Sequence, residues 1–400
     1  MSLAVGQINA IKVLRIFVIW LFANIYLQAS TGVAQTRYPN AGRVDFYKFT
    51  DGSFDQFTHS PNPRMQQWMK NHYARMLTYS PYFDSRLGWY PNAWVYKNLY
   101  AIHGDRDEVA RYRPDWILKD RNGNNLYILF DCSGGTCAQY AADIGNPQFR
   151  AHWTEKARQI LAKGYLGLFV DDVNLTWRIS DGYGRPKIPI DPRTGREMTL
   201  ESWQRYIAEF TEAIRSSFPN KEIVHNVIWF AGLPSNPFVT RQIKASTYVY
   251  LERGINDTGL RGGTGQWGLE TFLRFIDYVH SQGRGVIFDV IHADALKDVE
   301  YGLAGWLLIS EGDDGFGNRQ YSSPNNWWSG YELNLGTGFG KRYNWNGVIR
   351  RDFEHGIVLL NPPDMPARPL NLGQNYRTLD GRGVSFITLG SATGRILLNP

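Results

Sequence analysis

Cysteine is nearly absent: two residues in 400, Cys132 and Cys137, in the stretch Asp131-Cys-Ser-Gly-Gly-Thr-Cys137. No second cysteine pair or histidine pair accompanies them, which excludes a structural zinc site and a disulfide-framework fold. One small disulfide closing a short loop is what the pair can form, as expected in an exported protein. His-x-His and His-Glu-x-x-His spacings are missing too, so no local metal motif supports a metal cofactor. No run of five like charges and no nucleic-acid motif occurs, and nucleic acid is not an expected partner. No Gly-x-Gly-x-x-Gly follows the first strand-like run, which disfavours a dinucleotide-binding open sheet.

Apolar runs are short as well. The longest, Ile16–Leu27, has about 12 residues against the ~20 a bilayer span needs. Lys12 and Arg15 precede it, and Gly32 and Ala34 follow with the small-residue spacing of a cleavage site. Residues 1–34 therefore read as a secretory signal, with an uncleaved anchor as the alternative, and the expected location is secreted or periplasmic. The leader holds two bases and no acid, so the rest of the chain carries two positive charges fewer than the formal +6.

What is abundant is aromatic: 21 Phe, 23 Tyr and 14 Trp; the tryptophan count suggests flat stacking surfaces, while a large aromatic core explains most of these residues. From residue 43 to 315, apolar runs alternate with amphipathic segments. The runs are Val44–Phe49, Met76–Tyr82, Trp94–His103, Leu166–Val173, Ile223–Phe230, Ser246–Glu252, Gly285–His292 and Trp306–Ser310. Most are apolar on both faces, as buried parallel strands are. Between them, Asn146-Pro147 opens one helix and Thr199 caps another, while Trp267–Ser281 forms a third before Gly283. The pattern predicts an α/β fold, a (β/α)8 TIM barrel over 43–336. After residue 337 short β-rich runs predict a small antiparallel β-module over 337–400. A hairpin with an Asn122-Gly123 turn and a polar loop over 175–198 are insertions after the third and fourth strands.

Catalytic chemistry on such a barrel sits at the C-terminal ends of strands. The fourth run ends in Asp171-Asp172. Period-two alternation puts Asp171 on the face of Gly167 and Phe169, and Asp172 on that of Leu168 and Val170. With the branched aliphatics packed outward, Asp171 points into the barrel mouth. On the sixth run Ser246, Tyr248, Tyr250 and Glu252 share one polar face. Two carboxyl groups facing each other are what glycoside hydrolysis needs, one as nucleophile or base and one as acid. Asp171 takes the first role and Glu252 the second, with Asp172 as the neighbouring candidate; retaining and inverting outcomes are both open. Tyr47, Tyr82, Lys97, His225, Asn226, Tyr250, Asp289, Glu311 and Trp177 are expected to bind substrate. His225 with Asp171 and Asp172 is the alternative reading as a divalent-metal set.

Asp143-Ile-Gly-Asn-Pro-Gln-Phe-Arg150, Gly164-Tyr-Leu-Gly-Leu-Phe-Val-Asp171-Asp172-Val, Tyr250-Leu-Glu252 and Arg351-Asp-Phe-Glu-His-Gly-Ile-Val-Leu-Leu-Asn-Pro362 together resemble an uncharacterised bacterial glycoside hydrolase family with TIM barrels. That family is distantly similar to endo-α-1,4-polygalactosaminidases, whose fourth strand ends Leu-Asp-Asn-Val-Asp. The resemblance implies catalysis by Asp171 and Glu252; Asp172 and Asn174 depart from the pattern and leave the sugar open. The expectation is an exported, monomeric, cofactor-free glycosidase acting within a polysaccharide. A non-catalytic carbohydrate-binding barrel and a metal-dependent deacetylase or phosphodiesterase are its rivals.

Overall fold

The structure is a computed structural model that describes residues 36–103, 108–229, 236–291 and 293–400. The leader and His292 lie outside the described residues. Eight strands form one parallel sheet in chain order: β1 (Tyr47–Phe49), β2 (Arg75–Thr78), β3 (Ala93–Asn98), β4 (Gly167–Asp171), β5 (Glu222–Asn226), β6 (Tyr248–Glu252), β7 (Gly285–Val290) and β8 (Gly315–Asn318). A parallel bridge between Phe46 and Phe316 closes β8 onto β1, so the sheet is a barrel.

Helices α1 (Pro63–His72), α2 (Pro147–Leu161), α3 (Leu200–Ser217), α4 (Pro237–Ala245), α5 (Leu269–Ser281) and α6 (Leu296–Ile309) cover it. Three of them start Asn-Pro. Asn62, Asn146 and Asn236 each accept a backbone N–H of the first turn, while proline at the first helical position gives up an N–H that no helix could use. Between β2 and β3 the outer layer is only a 3-10 turn, Asp84–Arg86.

Alternation along the strands separates two cores. Leu77, Trp94, Phe169, Val224, Tyr250 and Ile287 fill the barrel, joined by Tyr47, Phe49, Tyr96 and Tyr248. Leu168, Val170, Ile223 and Val249 face the helices. Seven of the aromatic residues are therefore barrel filling. β8 makes room for it: a Cβ on Gly315 would stand 2.3 Å from the Tyr47 ring.

That glycine strand is where the sequence reading fails. Trp306–Ser310, expected as the eighth strand, is the last turn of α6 and its C-cap, and the strand is Gly315–Asn318. A short apolar run has no period to tell helix from strand. From Gly302 to Ile309 α6 is buried throughout, since the helix is sandwiched between the barrel on one side and the C-terminal module on the other.

The module comprises β9 (Gly338–Trp345), β10 (Val348–Phe353), β11 (Gly356–Asn361), β12 (Arg368–Thr378), β13 (Gly383–Leu389) and β14 (Thr393–Leu398). They pair antiparallel in the order β9-β10-β11-β14-β12-β13. Two residues of the Arg351–Pro362 motif make buried structural hydrogen bonds. Arg351, 1% exposed, reaches out of β10 and donates to Leu307 O and Ser310 O at the C-terminus of α6 and to Gly340 O. Asn361 ties three carbonyls inside the module, those of Pro366, Leu389 and Gly390. Barrel and module thus share one helix, and Tyr38–Pro400 is one compact unit.

Candidate active site

β4 delivers the central group. Asp171 Oδ2 accepts the Tyr96 hydroxyl at 2.6 Å, and Oδ1 accepts Asn226 Nδ2 and the Asp172 backbone N–H, both at 2.8 Å. Every partner is a donor, so both carboxyl oxygens act as acceptors. Tyr96 is held as a phenol, pushed up by burial and by the charge of Asp171. Asp143-Ile-Gly-Asn-Pro, by contrast, is structural. Asp143 pairs with Arg193 at 2.9 Å, and the Arg193 guanidinium covers Gly145, where a Cβ would meet it at 2.5 Å.

Asp172 departs from strand geometry. Its φ of 57° is left-handed, a conformation Asp tolerates better than most residues. The kink ends β4, and the side chain turns from the helical layer toward Asn98. Its carboxyl is buried and accepts from Asn98 Nδ2 at 2.7 Å, and from Asn174 Nδ2 and Arg178 Nη1 at 3.3 Å. Burial, and then the neighbouring charge of Asp171, push Asp172 up to about 6. The sign follows: a carboxyl raised on folding favours the fold below the unfolded value near 4, and that contribution is lost as pH rises through about 6. Asp172→Asn is expected to match the wild type in melting temperature at pH 4 and exceed it at pH 7. Calorimetry at the two pH values checks this; equal melting at pH 7 contradicts it.

A second cluster lies deeper. The Tyr250 hydroxyl donates to Asp289 Oδ2, and Arg319 Nε stands 3.7 Å from the same oxygen. The Arg319 guanidinium lies over the Phe49 ring, 5.1 Å from its centroid. Lys48, pushed down to about 8 by burial, donates to Ser322 Oγ at 2.8 Å. Above this floor opens a cavity of ≈ 640 Å³ lined by Asp171, Asp172, Glu252, Asn226, Tyr250 and Arg319, with aromatic walls. Trp267, 47% exposed, is one wall, braced edge-on by Trp229 at 5.3 Å.

Of the residues expected here, Asp171, Asp172, Glu252, Asn226 and Tyr250 line this cavity. Asp289 lies beneath it, against Tyr250. The others do not converge on it. Tyr47 is part of the barrel filling, edge-on to Trp94 at 5.1 Å. Tyr82 donates to Asp51 O at 2.6 Å and lies under the Arg86 guanidinium, outside the cavity. Lys97 points outward, its ammonium 5.0 Å from the Trp153 ring of α2. His225 is fully buried in the outer layer, pushed down to about 3 by burial. It faces away from Asp171, so the divalent-metal set does not assemble. Trp177 packs edge-on against Trp203 of α3 at 6.2 Å. Glu311 follows α6 at the opposite end of the barrel, 3.4 Å from Lys341, because the eighth strand begins only after it.

Tyr96, Arg178, Arg319 and Phe130 line the cavity and were not read from the sequence. Tyr96 was legible: alternation from Trp94 selects Tyr96 and Asn98, and the polarity of Lys97 misleads. Arg319 becomes visible only when β8 is placed correctly. The Cys132–Cys137 disulfide is present.

A family model described as hypothetical glycosyl hydrolase family 15 matches residues 81–357, from the turn after β2 into β11. Among curated proteins none matches. Similar solved structures include the noncanonic maltogenic α-amylase AmyB from Thermotoga neapolitana, at 12% identity over 89% of this chain and 98% of that one, with a TM-score of 0.53. A β-L-arabinopyranosidase from Geobacillus stearothermophilus is similar at 12% identity over 90% and 98%, TM-score 0.51. The glycoside hydrolase domain of PelA from Pseudomonas aeruginosa gives 15% identity over 70% and 95%, TM-score 0.43. At such identities the likeness is one of fold. The family match spans most of the barrel and most of the cavity lining: the chain belongs to hypothetical glycosyl hydrolase family 15, and its function is glycoside-hydrolase-like.

Proposed function

We propose that the protein is an exported glycosidase that cleaves within a polysaccharide chain, with Asp171 as nucleophile or base and Glu252 as general acid. One observation carries the reading: both carboxyl groups line the same cavity at the C-terminal mouth of the barrel, and Asp171 is fixed there by three donors. The Tyr96 and Asn226 contacts hold its oxygens while the anomeric carbon approaches, so little reorganisation is left for the transition state. Glu252, exposed at the rim, is free to meet the leaving oxygen. Aromatic walls suit the C–H faces of sugars, and an open mouth suits a chain that continues past the cleaved bond. The disulfide accords with an oxidising compartment.

The test is release of reducing ends from a panel of soluble polysaccharides by the purified protein. The panel includes an α-1,4-galactosaminan in free-amine and N-acetylated forms. Early products of mixed length support internal cleavage, and a single small product from the outset refutes it. Turnover is expected to be unchanged after EDTA treatment, since neither catalytic role needs a metal. Loss of activity to the chelator, restored by a divalent cation, would favour the metal-dependent hydrolase instead.

A further inference from the structure

Phe130 is a phenylalanine 57% exposed, on a polar insertion, at the wall of the cavity that holds Asp171, Asp172 and Glu252. What distinguishes it from a chance exposed ring is its place on the cavity wall. The segment that carries it is built with care. Tyr127–Ile128 pairs with Ile179–Ser180, so the insertion after β3 is stitched to the one after β4. Leu129 N–H donates to Arg178 O at 2.9 Å, and Arg178 Nη2 returns to Leu129 O at 3.3 Å. Nη1 of the same guanidinium reaches Asp172. Phe130 is thus one residue from a carbonyl that the Arg178 guanidinium links to Asp172.

Beyond Phe130 the chain makes a hairpin, Ser133 and Thr136 exchanging both backbone hydrogen bonds across Gly134 and Gly135. Their φ values of 60° and 86° are those a two-residue turn requires at both centres, which is why both are glycine. The Cys132–Cys137 disulfide locks its base. The other insertion clamps it: a Cβ on Gly182 would lie 1.8 Å from Gly135 O, so only glycine permits the approach. Disulfide, glycine turn and glycine contact fix the stem from which Phe130 projects. Rigid presentation of an aromatic ring is how a stacking platform avoids an entropic cost on binding.

We propose that Phe130 is a glycan-stacking platform, set by the Cys132–Cys137 loop, for a sugar next to the cleavage position on the β3–β4 side. Trp267, from the loop after β6, stacks the chain on the other side. This rests on the glycosidase reading for its substrate class but not on turnover.

The experiment is native electrophoresis through gels containing α-1,4-galactosaminan in free-amine or N-acetylated form, starch, galactomannan or arabinoxylan. Wild type and Asp171→Asn are expected to be retarded by at least one polymer. Phe130→Ala should weaken that retardation about 5–10-fold, the scale of one lost aromatic contact. Phe130→Tyr should keep it, and Cys132→Ser/Cys137→Ser should weaken it with the barrel still folded by melting temperature. On a polymer that is cut, Phe130→Ala should raise KM and leave kcat unchanged. Retardation of Phe130→Ala equal to wild type, loss of kcat in that variant, or retardation by no polymer each overturns the platform. Retardation without cleavage by the wild type leaves the platform standing and sinks the glycosidase reading.

Discussion

If the proposed assignment holds, Asp171→Asn and Glu252→Gln should each lower the release of reducing sugar by roughly 10²–10⁴-fold, the range that positioned acid–base groups contribute. A 10³-fold loss corresponds to about 4 kcal/mol of barrier. The two losses should differ with the leaving group. A nitrophenolate departs without a proton, so aryl glycosides spare much of the Glu252→Gln defect, whereas Asp171→Asn stays inactive on both substrates. Folding is not the cause in either case. Glu252 is exposed and, among the described residues, its carboxylate makes no hydrogen bond. Asp171→Asn keeps an acceptor oxygen and removes the like charge beside Asp172, so its melting temperature should stay near wild type. Full turnover by either variant removes that carboxylate from the mechanism.

The largest effect on stability belongs to Arg351→Ala. Its guanidinium satisfies Leu307 O and Ser310 O, carbonyls at the end of α6 that have no partner inside the helix. A cation there also complements the negative end of the helix dipole. Burial pushes Arg351 down to about 10, so it remains charged at neutral pH. Truncation to alanine leaves these carbonyls and Gly340 O buried without a donor and opens a cavity beneath β10. About 3 kcal/mol or more should be lost, or roughly 6–12 °C in melting temperature at the scaling of large domains. Thermal unfolding of Arg351→Ala and Arg351→Lys measures it. Lysine, with a compact head, should restore only part, because it cannot span three carbonyls from one planar fork. An alanine variant that melts with the wild type would mean that the module does not depend on this anchor.

Much of this was legible in the chain. Asn146-Pro147 and Thr199 mark true helix starts because caps are local chemistry. Asp171 and Glu252 fall on the cavity side because alternation is a property of each strand alone. His225 and Lys97 obey the same rule and were misjudged for their polarity, though they alternate with Val224 and Tyr96, which fill the barrel. The eighth strand was not legible. Gly315-Phe-Gly-Asn318 is strand because Tyr47 needs the space above Gly315, and that neighbour is remote in sequence.

By itself, then, the sequence determined the barrel class, the capped helices and the inward face of the two acids, all consequences of spacing within one element. Only the tertiary structure decided that the module covers the face of α6 turned away from the barrel. It likewise decided that Arg178 joins the disulfide arm to Asp172 and that Arg319 meets Asp289. A residue's own alternation fixes which way it points, while the group it meets depends on how distant segments close around a shared core.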